Sequence, residues 1–311
     1  VRDALLTAGY PVRALVRGDP GRLPRRPGLT PLAGDLLRPG ELAWAIEGCR
    51  HLVHVAAQYS FAPRDAASME RVNVLGTAGL LEAARLAGVE RAVLTSSSAV
   101  VGPARGGRPA SEEDSAPERA RGRGGLGYHE SKIEQERAAF AARLPVVEVL
   151  PTAPVGPRDG IPTPTGQMLL DVLTGRMPAS VQGGMNLVPV EDVARGHLLA
   201  LERGRSGERY LLGGEDWELD RLFAVVARLA GRRAPRLHLP HRLVLALAQL
   251  DDLRCRVGGA VPRIPLEGAR MSGEHMYASS ERAARELGWR AGSVEAALER
   301  AAAWFREQGR L

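Results

Sequence analysis

A tyrosine and a lysine four positions apart are the side chains of this sequence whose types and spacing most directly suggest chemistry. Tyr128 and Lys132 lie in the segment GYHESKIE, and Lys132 is the only lysine among 42 lysine and arginine residues. Residues four apart on a helix share one face. A cation beside a tyrosine lowers the pKa of its hydroxyl from about 10. The pair could then exchange a proton with a substrate hydroxyl or carbonyl; the alternative is a solvated lysine on a helix surface.

Three consecutive serines form a second group of candidates. Ser96, Ser97 and Ser98 follow the apolar segment RAVLT, which is typical of a β-strand. A serine hydroxyl at the end of such a strand could donate a hydrogen bond to a carbonyl oxygen on which negative charge develops. Hydroxyl groups that satisfy the backbone of a loop are the alternative interpretation.

Alternating strands and helices must position these residues. The predicted strands are residues 10–17, 51–57, 145–150 and 91–100, the last of which runs into a loop, and the predicted helices are residues 41–49, 69–88 and 128–144. This order is typical of βαβ units, so we predict an α/β fold with a doubly wound parallel sheet of the Rossmann type. Ligands of such sheets bind at the carboxyl ends of the strands, where the serine run is expected.

The second half of the chain predicts a smaller lobe for the substrate. Residues 151–166 (PTAPVGPRDGIPTPTG) are rich in proline and glycine, so we expect an irregular loop there. Further elements are predicted as helices near 191–203, 218–230 and 294–308 and as a strand at 209–214. We divide the chain into a dinucleotide-binding domain, residues 1–155, and a substrate-binding lobe, residues 156–311, from which 186–212 returns to the first domain. The apolar stretch 243–250 is expected to pack in the core, with an interface or a membrane surface as alternatives.

The first residues do not match the usual beginning of a dinucleotide-binding fold. Residues 1–8 predict a helix that ends at Gly9, whereas such a fold places a strand and a glycine-rich turn before this helix. We therefore expect the first strand and turn, about 10–20 residues, to be missing from this sequence. The hexapeptide GRGGLG (122–127) matches GxGxxG, but it follows a polar segment rather than a strand and is predicted to be a flexible loop.

Composition narrows the classes of protein. The net charge is +6, but the arginines are scattered and are balanced by 36 acidic residues, which argues against nucleic-acid binding. Cys49 and Cys255 lie far apart, which fits a reducing cytoplasm rather than a disulfide scaffold. No apolar run reaches the length of a transmembrane segment. The spacing of histidines and acidic residues predicts no metal centre.

Five motifs in the expected order resemble a known family. The segments AGDL, VNVLGT, TSSSAVVG, YHESK and LPTAPVGP are similar to those of the extended short-chain dehydrogenase/reductases, which include NAD(P)-dependent epimerases, dehydratases and dihydroflavonol-reductase-like enzymes. Within that group, PVGPRD, GRMPA and NLVPVEDVARGHLLALERG look most like the hopanoid-associated sugar epimerases. The resemblance extends over nearly the whole chain.

The resemblance implies roles for individual residues. The implied catalytic residues are Ser97, Tyr128 and Lys132, with Ser98 as an alternative to Ser97. The implied cofactor-binding residues are Asp35 and Leu36 beside the adenine, Ala56 and Ala57 after their strand, Asn73, Tyr128, Lys132, Pro151, Thr152 and Pro154. Asn73 would also help to hold the active-site helix. The candidates for substrate contact are Gln58, Tyr59, Ser98, Arg158, Thr163 and Asn186. Without the resemblance, Asp35 could cap a turn and Asn73 could be a polar residue on a helix face.

Arg17 bears on the choice of cofactor. It ends the strand 10–17, where a dinucleotide fold places the residue that meets the adenosine ribose, and an arginine there accommodates the 2′-phosphate of NADP. We therefore predict NADP, with NAD as the alternative.

Three functions remain open from the sequence. The first is an oxidoreductase of the epimerase/dehydratase kind that acts on a nucleotide sugar, with Tyr128 as acid and base. The second is an NADPH-dependent reductase of a ketone or aldehyde, and the third is a cofactor-binding protein without catalysis. The resemblance also implies a small-molecule substrate and a homodimer.

Overall fold

The computed structural model describes residues 1–116, 126–258 and 266–311. The first half contains α1 (Arg2–Thr7), β1 (Val12–Val16), β2 (Leu29–Ala33), α2 (Pro39–Ile46), β3 (His51–His54), α3 (Ala66–Met69), α4 (Thr77–Leu86), β4 (Arg91–Thr95), α5 (Tyr128–Ala141) and β5 (Val146–Pro151). The second half contains β6 (Ala153–Val155), α6 (Pro164–Thr174), β7 (Ser180–Val181), β8 (Gly184–Pro189), α7 (Val190–Arg203), β9 (Arg209–Leu212), β10 (Glu215–Glu218), α8 (Leu219–Leu229), β11 (His238–Leu239), α9 (His241–Gly258), α10 (Leu266–Met271), β12 (His275–Met276) and α11 (Val294–Glu307). The GRGGLG hexapeptide lies mostly outside the described residues.

A four-stranded parallel sheet forms the centre of the first half. Its strand order is β3-β4-β5-β9, while β1 and β2 pair in parallel as a separate two-stranded sheet. Within the described residues the two sheets share no strand. Alternate residues of β4 face opposite sides: Ala92 and Leu94 pack with α2 and α4, whereas Val93 packs with α7. Helices therefore cover both faces, and the predicted α/β fold of the Rossmann type is confirmed.

The predicted helix 69–88 is longer and less regular than expected. It begins at Ala66 in α3, continues through a π-helical segment, Glu70–Gly76, and ends at Leu86 in α4. A π-helical turn inserts an extra residue into the helix and is frequent at functional sites. Here it carries the fully buried Asn73.

The strand β3 is shorter than predicted. It ends at His54, so residues 55–57 follow the strand instead of belonging to it, whereas β4 ends at Thr95, directly before the serine run, as expected. The prediction of an irregular segment at 151–166 was wrong in two places. Residues 153–155 form β6, which pairs only with β8, and a proline is tolerated in such an edge strand. Pro164 occupies the first turn of α6, where its missing N–H costs no helical hydrogen bond.

The second half builds a smaller sheet and a helical layer. β8 pairs with β6, β10 and β12, and a separate apolar core joins α6, α8 and α11 around Trp217 and Phe305. β9 lies beside β5 in the main sheet, and α7 packs on that sheet. The chain crosses from the lobe to the main sheet between β8 and α7, at residues 189–190.

The apolar stretch 243–250, which was expected to pack in the core, lies on helix α9 and is partly exposed. Val244, Leu245 and Ala248 face the protein, but Leu247 and Leu250 are 39% and 65% exposed. The helix has apolar residues on two faces, and within the described residues one of these faces packs against the protein. No helix within residues 1–116, 126–258 and 266–311 combines the length and the apolar character that a membrane crossing requires.

One buried asparagine connects the loop after β5 to the second sheet. Asn186 is 2% exposed. Its oxygen accepts from Thr152 Oγ1 and from the Gly214 N–H, both at 2.8 Å. Its Nδ2 donates to Asp216 Oδ1 at 2.6 Å and to the Ala278 carbonyl at 3.2 Å. Since buried polar groups that lose their partners are costly, this amide stabilises the junction between the loop and the lobe.

We predict that Asn186→Leu lowers the free energy of unfolding by about 2–4 kcal/mol, because it leaves several buried polar groups without partners. Urea denaturation measures the change. Gln167→Leu is the matched control, because the Gln167 amide is exposed and bonds only to Asp171, and it should cost less than about 0.5 kcal/mol. Equal losses in the two variants would show that Asn186 does not have this role.

Candidate active site

Helix α5 brings Tyr128 and Lys132 to the carboxyl end of β4. The helix begins at Tyr128, and Lys132 follows one turn later with its side chain turned inward and only 2% exposed. Its Nζ donates to the Thr95 carbonyl at 3.0 Å and to Gln135 Oε1 at 2.8 Å. Lys132 is therefore not a solvated surface lysine. It anchors α5 to the last residue of β4, two positions before Ser97.

The ammonium of Lys132 lies in a site of low polarity. Burial lowers its pKa to about 8, and the charge of Glu148 opposes that shift. The ammonium is still the main form at neutral pH, but it holds its proton less tightly than a solvated lysine does. A group of this kind is a compact positive charge that water does not screen.

Aromatic rings surround Tyr128. Its ring lies 4.3 Å from that of Tyr59 and 6.2 Å from that of Phe61, measured between centroids. Tyr59 also contacts Phe61 edge to face, at 5.3 Å. The loop after β3 therefore places a largely apolar wall beside the candidate acid/base.

The three serines have different surroundings. Ser97 is half-buried and caps a short 3₁₀ turn, Ser98–Val100, by accepting from the Ala99 N–H at 3.2 Å. That bond uses a lone pair and leaves the hydroxyl hydrogen of Ser97 available to a substrate oxygen. Ser98 begins the turn and is half-buried. Ser96 is buried, and its Oγ has no hydrogen-bond partner among the described residues.

Asn73 connects α5 to the loop after β3. Its Oδ1 accepts from the Gln58 N–H at 2.8 Å, and its Nδ2 donates to the Gln58 carbonyl at 3.0 Å. The same Nδ2 donates to Ser131 Oγ on α5, also at 3.0 Å. Through these bonds Asn73 holds α5 against the loop after β3, which is the contact expected of a residue that holds the active-site helix.

The candidate cofactor-binding residues follow the carboxyl ends of their strands. Arg17 follows β1 directly and is exposed, whereas the nearby Asp19 is committed to a turn through the Gly21 N–H. Ala56 and Ala57 are exposed after β3, and Pro151 is the buried last residue of β5. Small side chains, an exposed arginine and a buried ammonium at these ends fit a dinucleotide.

The remaining candidates on the cofactor side have local partners. Asp35 Oδ1 accepts from the Leu37 N–H at 3.0 Å, so the carboxyl group caps a turn. This is the role expected for Asp35 without the family resemblance. Leu36 is half-buried and packs on the α2–α4 core. Thr152 donates to Asn186, and Pro154 is exposed in β6.

Most of the residues nominated for substrate contact are committed elsewhere. Arg158, which has φ 74°, pairs with Asp3 at 2.8 Å, and Thr163 caps α6 while bonding to Asp159. Asn186 is buried and fully bonded, as described above. The Gln58 side chain accepts from Ser68 at 2.6 Å. Tyr59 alone of these side chains contacts Tyr128 directly in the described contacts.

Several polar residues near the site were not predicted from the sequence. Gln135 bonds Lys132, and behind it lie Thr77 and His54. The available signals were a histidine inside the apolar strand segment HLVHV and the position of Gln135, three residues after Lys132 on the same helix face. On the other side of β4, Thr95 Oγ1 bonds His197 Nε2 at 2.7 Å.

His54 and His197 are neutral. Burial, reinforced by the charge of Lys132, lowers the pKa of His54 to about 3. Burial also lowers the pKa of His197 to about 4, against the opposing bond from Nδ1 to the Val193 carbonyl. These residues therefore act as fixed hydrogen-bonding groups near neutral pH. In the part of the chain that the structure describes, no group of three or more histidine, cysteine or acidic residues is arranged to hold a metal.

Comparison with known proteins agrees with this arrangement. The NAD-dependent epimerase/dehydratase family matches residues 1–213. The chain belongs to this family. A Synechocystis relative that carries the name dihydroflavonol 4-reductase is 39% identical, covering 98% of this chain and 90% of the relative. Sterol demethylase protein B of Methylococcus capsulatus is 36% identical over 99% of this chain and 94% of the relative.

A solved structure extends the comparison. A nucleoside-diphosphate-sugar epimerase from Pseudomonas aeruginosa has a TM-score of 0.78 and 27% identity, covering 99% of this chain and 93% of that one. The chain is thus an NAD(P)-dependent enzyme of the epimerase, dehydratase and reductase group, as the motifs predicted. The likeness to the hopanoid-associated subgroup stays a prediction.

We predict that His197 makes stability fall in mild acid. Its pKa is 6.5 in the unfolded chain and about 4 in the fold, so the unfolded state binds more protons as the pH falls below 6.5. Between pH 7 and pH 5 this costs about 2 kcal/mol. Urea denaturation at both pH values should show a smaller decrease, by about that amount, for His197→Gln. His238→Gln, at an exposed position, is the matched control for replacing a histidine. An unchanged pH dependence in His197→Gln would contradict the assignment.

Proposed function

We propose that this enzyme is an NADP(H)-dependent reductase of a ketone, or the reverse dehydrogenase, that acts on an apolar substrate. The observation that carries the proposal is the buried Lys132 ammonium, which α5 places one turn from Tyr128 and anchors at Thr95, two residues before Ser97. This arrangement supports proton transfer at a substrate oxygen. The proposal specifies the reaction within the family to which the chain belongs.

The roles of the protein groups follow from their chemistry. Tyr128 Oη gives its proton to the substrate oxygen in reduction and takes it back in oxidation. Ser97 donates its hydroxyl hydrogen to the same oxygen, which stabilises the charge that develops there. The Lys132 ammonium favours the tyrosinate form of Tyr128. The nicotinamide cofactor supplies or accepts the hydride when it is bound. Arg17, Ala56, Ala57 and Pro151 are the residues that would hold it.

The surroundings of Tyr128 favour an apolar substrate. Tyr59 and Phe61 form the wall beside it. Of the residues that could bind a sugar diphosphate, Arg158 is paired with Asp3, Thr163 caps a helix and Asn186 is buried. The relatives that are 39% and 36% identical carry names that refer to a flavonoid and a sterol.

A nucleotide-sugar epimerase or dehydratase is the second candidate. The family match and the sugar-nucleotide epimerase structure at 27% identity favour it. Arg158 is largely exposed, so a diphosphate could compete with Asp3 for its guanidinium. An epimerase returns the hydride that it takes, whereas a reductase consumes NADPH. Net loss of NADPH absorbance with ketones, and none with nucleotide sugars, therefore distinguishes the two.

We expect Tyr128→Phe to lower kcat for ketone reduction by about 10²–10⁴-fold, because the proton donor is removed while the ring stays. NADPH turnover with a panel of polycyclic and isoprenoid ketones measures it, and fluorescence titration checks that NADPH still binds. Tyr277→Phe is the matched control, since Tyr277 bonds Glu218 in the second sheet. Full activity in Tyr128→Phe would exclude the proposed mechanism.

Arg17 is proposed to read the 2′-phosphate. Arg17→Ala should weaken NADPH binding by about tenfold or more, the value of a hydrogen bond to a charged group, and leave NADH binding nearly unchanged. Fluorescence titrations with purified protein of verified N-terminus measure both affinities. Arg22→Ala, in the neighbouring exposed turn, is the control. Equal weakening for the two cofactors, or tighter binding of NADH by the wild type, would favour NAD.

A further inference from the structure

A continuous chain of four buried polar side chains lies beneath the active-site helix. Lys132 Nζ donates to Gln135 Oε1 at 2.8 Å, Gln135 Nε2 donates to Thr77 Oγ1 at 2.9 Å, and Thr77 Oγ1 lies 2.9 Å from His54 Nε2. All four side chains are at most 3% exposed. They come from α5, α4 and β3, so the chain of bonds links three elements of the fold.

The direction of the first two bonds in this chain is fixed at the lysine end. An ammonium can only donate, so the Gln135 oxygen must face Lys132 and its amide nitrogen must face Thr77. The Thr77 oxygen accepts from that nitrogen. Its contact with Nε2 of the neutral His54 closes the chain, and a hydroxyl can serve as donor or acceptor in that bond.

Gln135 also limits the orientation of the ammonium. Two of the three Nζ hydrogens are directed to Thr95 and Gln135. A single rotation about the Cε–Nζ bond must satisfy both acceptors, so the two bonds together fix the position of Nζ and the direction of its third hydrogen. Without Gln135, the Thr95 carbonyl alone of these two acceptors would hold Nζ in place.

We propose that Gln135 is a positioning residue for the reaction, which fixes the orientation of Lys132 and, through Thr77 and His54, its charge state. This inference rests on the proposed role of Lys132 at Tyr128. It assigns to Gln135 the task of keeping the ammonium charged in a buried site.

Other titratable groups face Lys132 and must be included in the test. Glu148 approaches from β5, where it is fully buried beside Glu136. Burial and the neighbouring Glu136 raise the pKa of Glu148. His54 faces Lys132 from β3, and Tyr128 lies on the same helix as Lys132. His197 of α7 contacts the side chain of Thr95, whose carbonyl accepts from Lys132.

The composition of the chain allows a direct measurement. Because Lys132 is the only lysine, untagged protein labelled with ¹³C at the lysine Cε shows one lysine resonance, and its shift against pH gives the pKa of Lys132. The wild type should titrate near pH 8. Gln135→Leu should lower this value by about one unit, because a hydrogen bond to the charged form is lost. Gln135→Glu should raise it by about one to two units, because a carboxylate replaces the amide.

Further variants separate the effect of the Gln135–Lys132 hydrogen bond from the general effects of a substitution. Thr77→Val removes the acceptor of Gln135 Nε2. It should shift the lysine titration in the same direction as Gln135→Leu, but less. Glu134→Gln, at the neighbouring exposed position that pairs with Arg137, is the matched control and should leave the titration in place. Glu148→Gln identifies any part of the titration that belongs to Glu148. If Gln135→Leu does not fold, Gln135→Glu and Thr77→Val still test the inference with opposite signs.

Turnover distinguishes the inference from the proposed function. With an accepted ketone, the alkaline limb of the kcat profile should move down in pH for Gln135→Leu and up for Gln135→Glu, while KM changes little. An unmoved lysine titration in both Gln135 variants overturns the inference even if Tyr128→Phe is inactive. A moved titration with an unmoved kcat profile also overturns the positioning role. Full turnover by Tyr128→Phe refutes instead the proposed function.

Discussion

The buried ammonium of Lys132 is the constraint on which the rest of the site depends. A charge removed from water is costly unless acceptors replace its hydration, and here a main-chain carbonyl and a glutamine amide do so. The carbonyl belongs to the last residue of β4, so the bond that satisfies the charge also fixes α5 against the sheet. Tyr128, one turn earlier, is positioned by the same contact. A lysine suits this position better than an arginine, since its compact ammonium has three donors, two of which are matched by Thr95 and Gln135, whereas the planar guanidinium is larger and carries five.

Around Lys132, polar side chains hold the elements of the fold together, and apolar side chains line the space beside Tyr128. Asn73 connects α5 to the loop after β3 through Ser131 and Gln58. That loop then supplies Tyr59 and Phe61. On the opposite side, Asn186 closes the junction to the second sheet with four hydrogen bonds. Because these polar side chains bond to the protein, they are less available to a sugar diphosphate, and this is one reason for proposing an apolar substrate.

Much of the fold could be predicted from local patterns. Apolar runs of strand length alternate with helical spacing through residue 150, and this order specifies a parallel sheet with helices on both faces. The errors lay where tertiary pairing overrides local composition. Residues 153–155 became a strand because β8 offers a partner edge. Among the described residues, α9 packs one of its two apolar faces and exposes leucines on the other. The end of β3 was also placed too late, since alanines after a strand do not mark its boundary.

For the site, residue types and spacing were enough to select Tyr128, Lys132 and the serine run, because a tyrosine and a lysine on one helix face form a recognisable chemical pair. Their burial and their partners required the fold. Thr95, Thr77 and His54 are separated from Lys132 by 37 or more positions, and no local pattern relates them. The same holds for Arg158 and Asn186, whose polar groups looked available in the sequence but are bonded to distant partners, whereas Thr163 bonds locally to Asp159 and caps α6. Hydrogen bonds between remote segments form only when the chain is packed, which is why the placement of the pair on one helix face could be predicted locally and its surroundings could not.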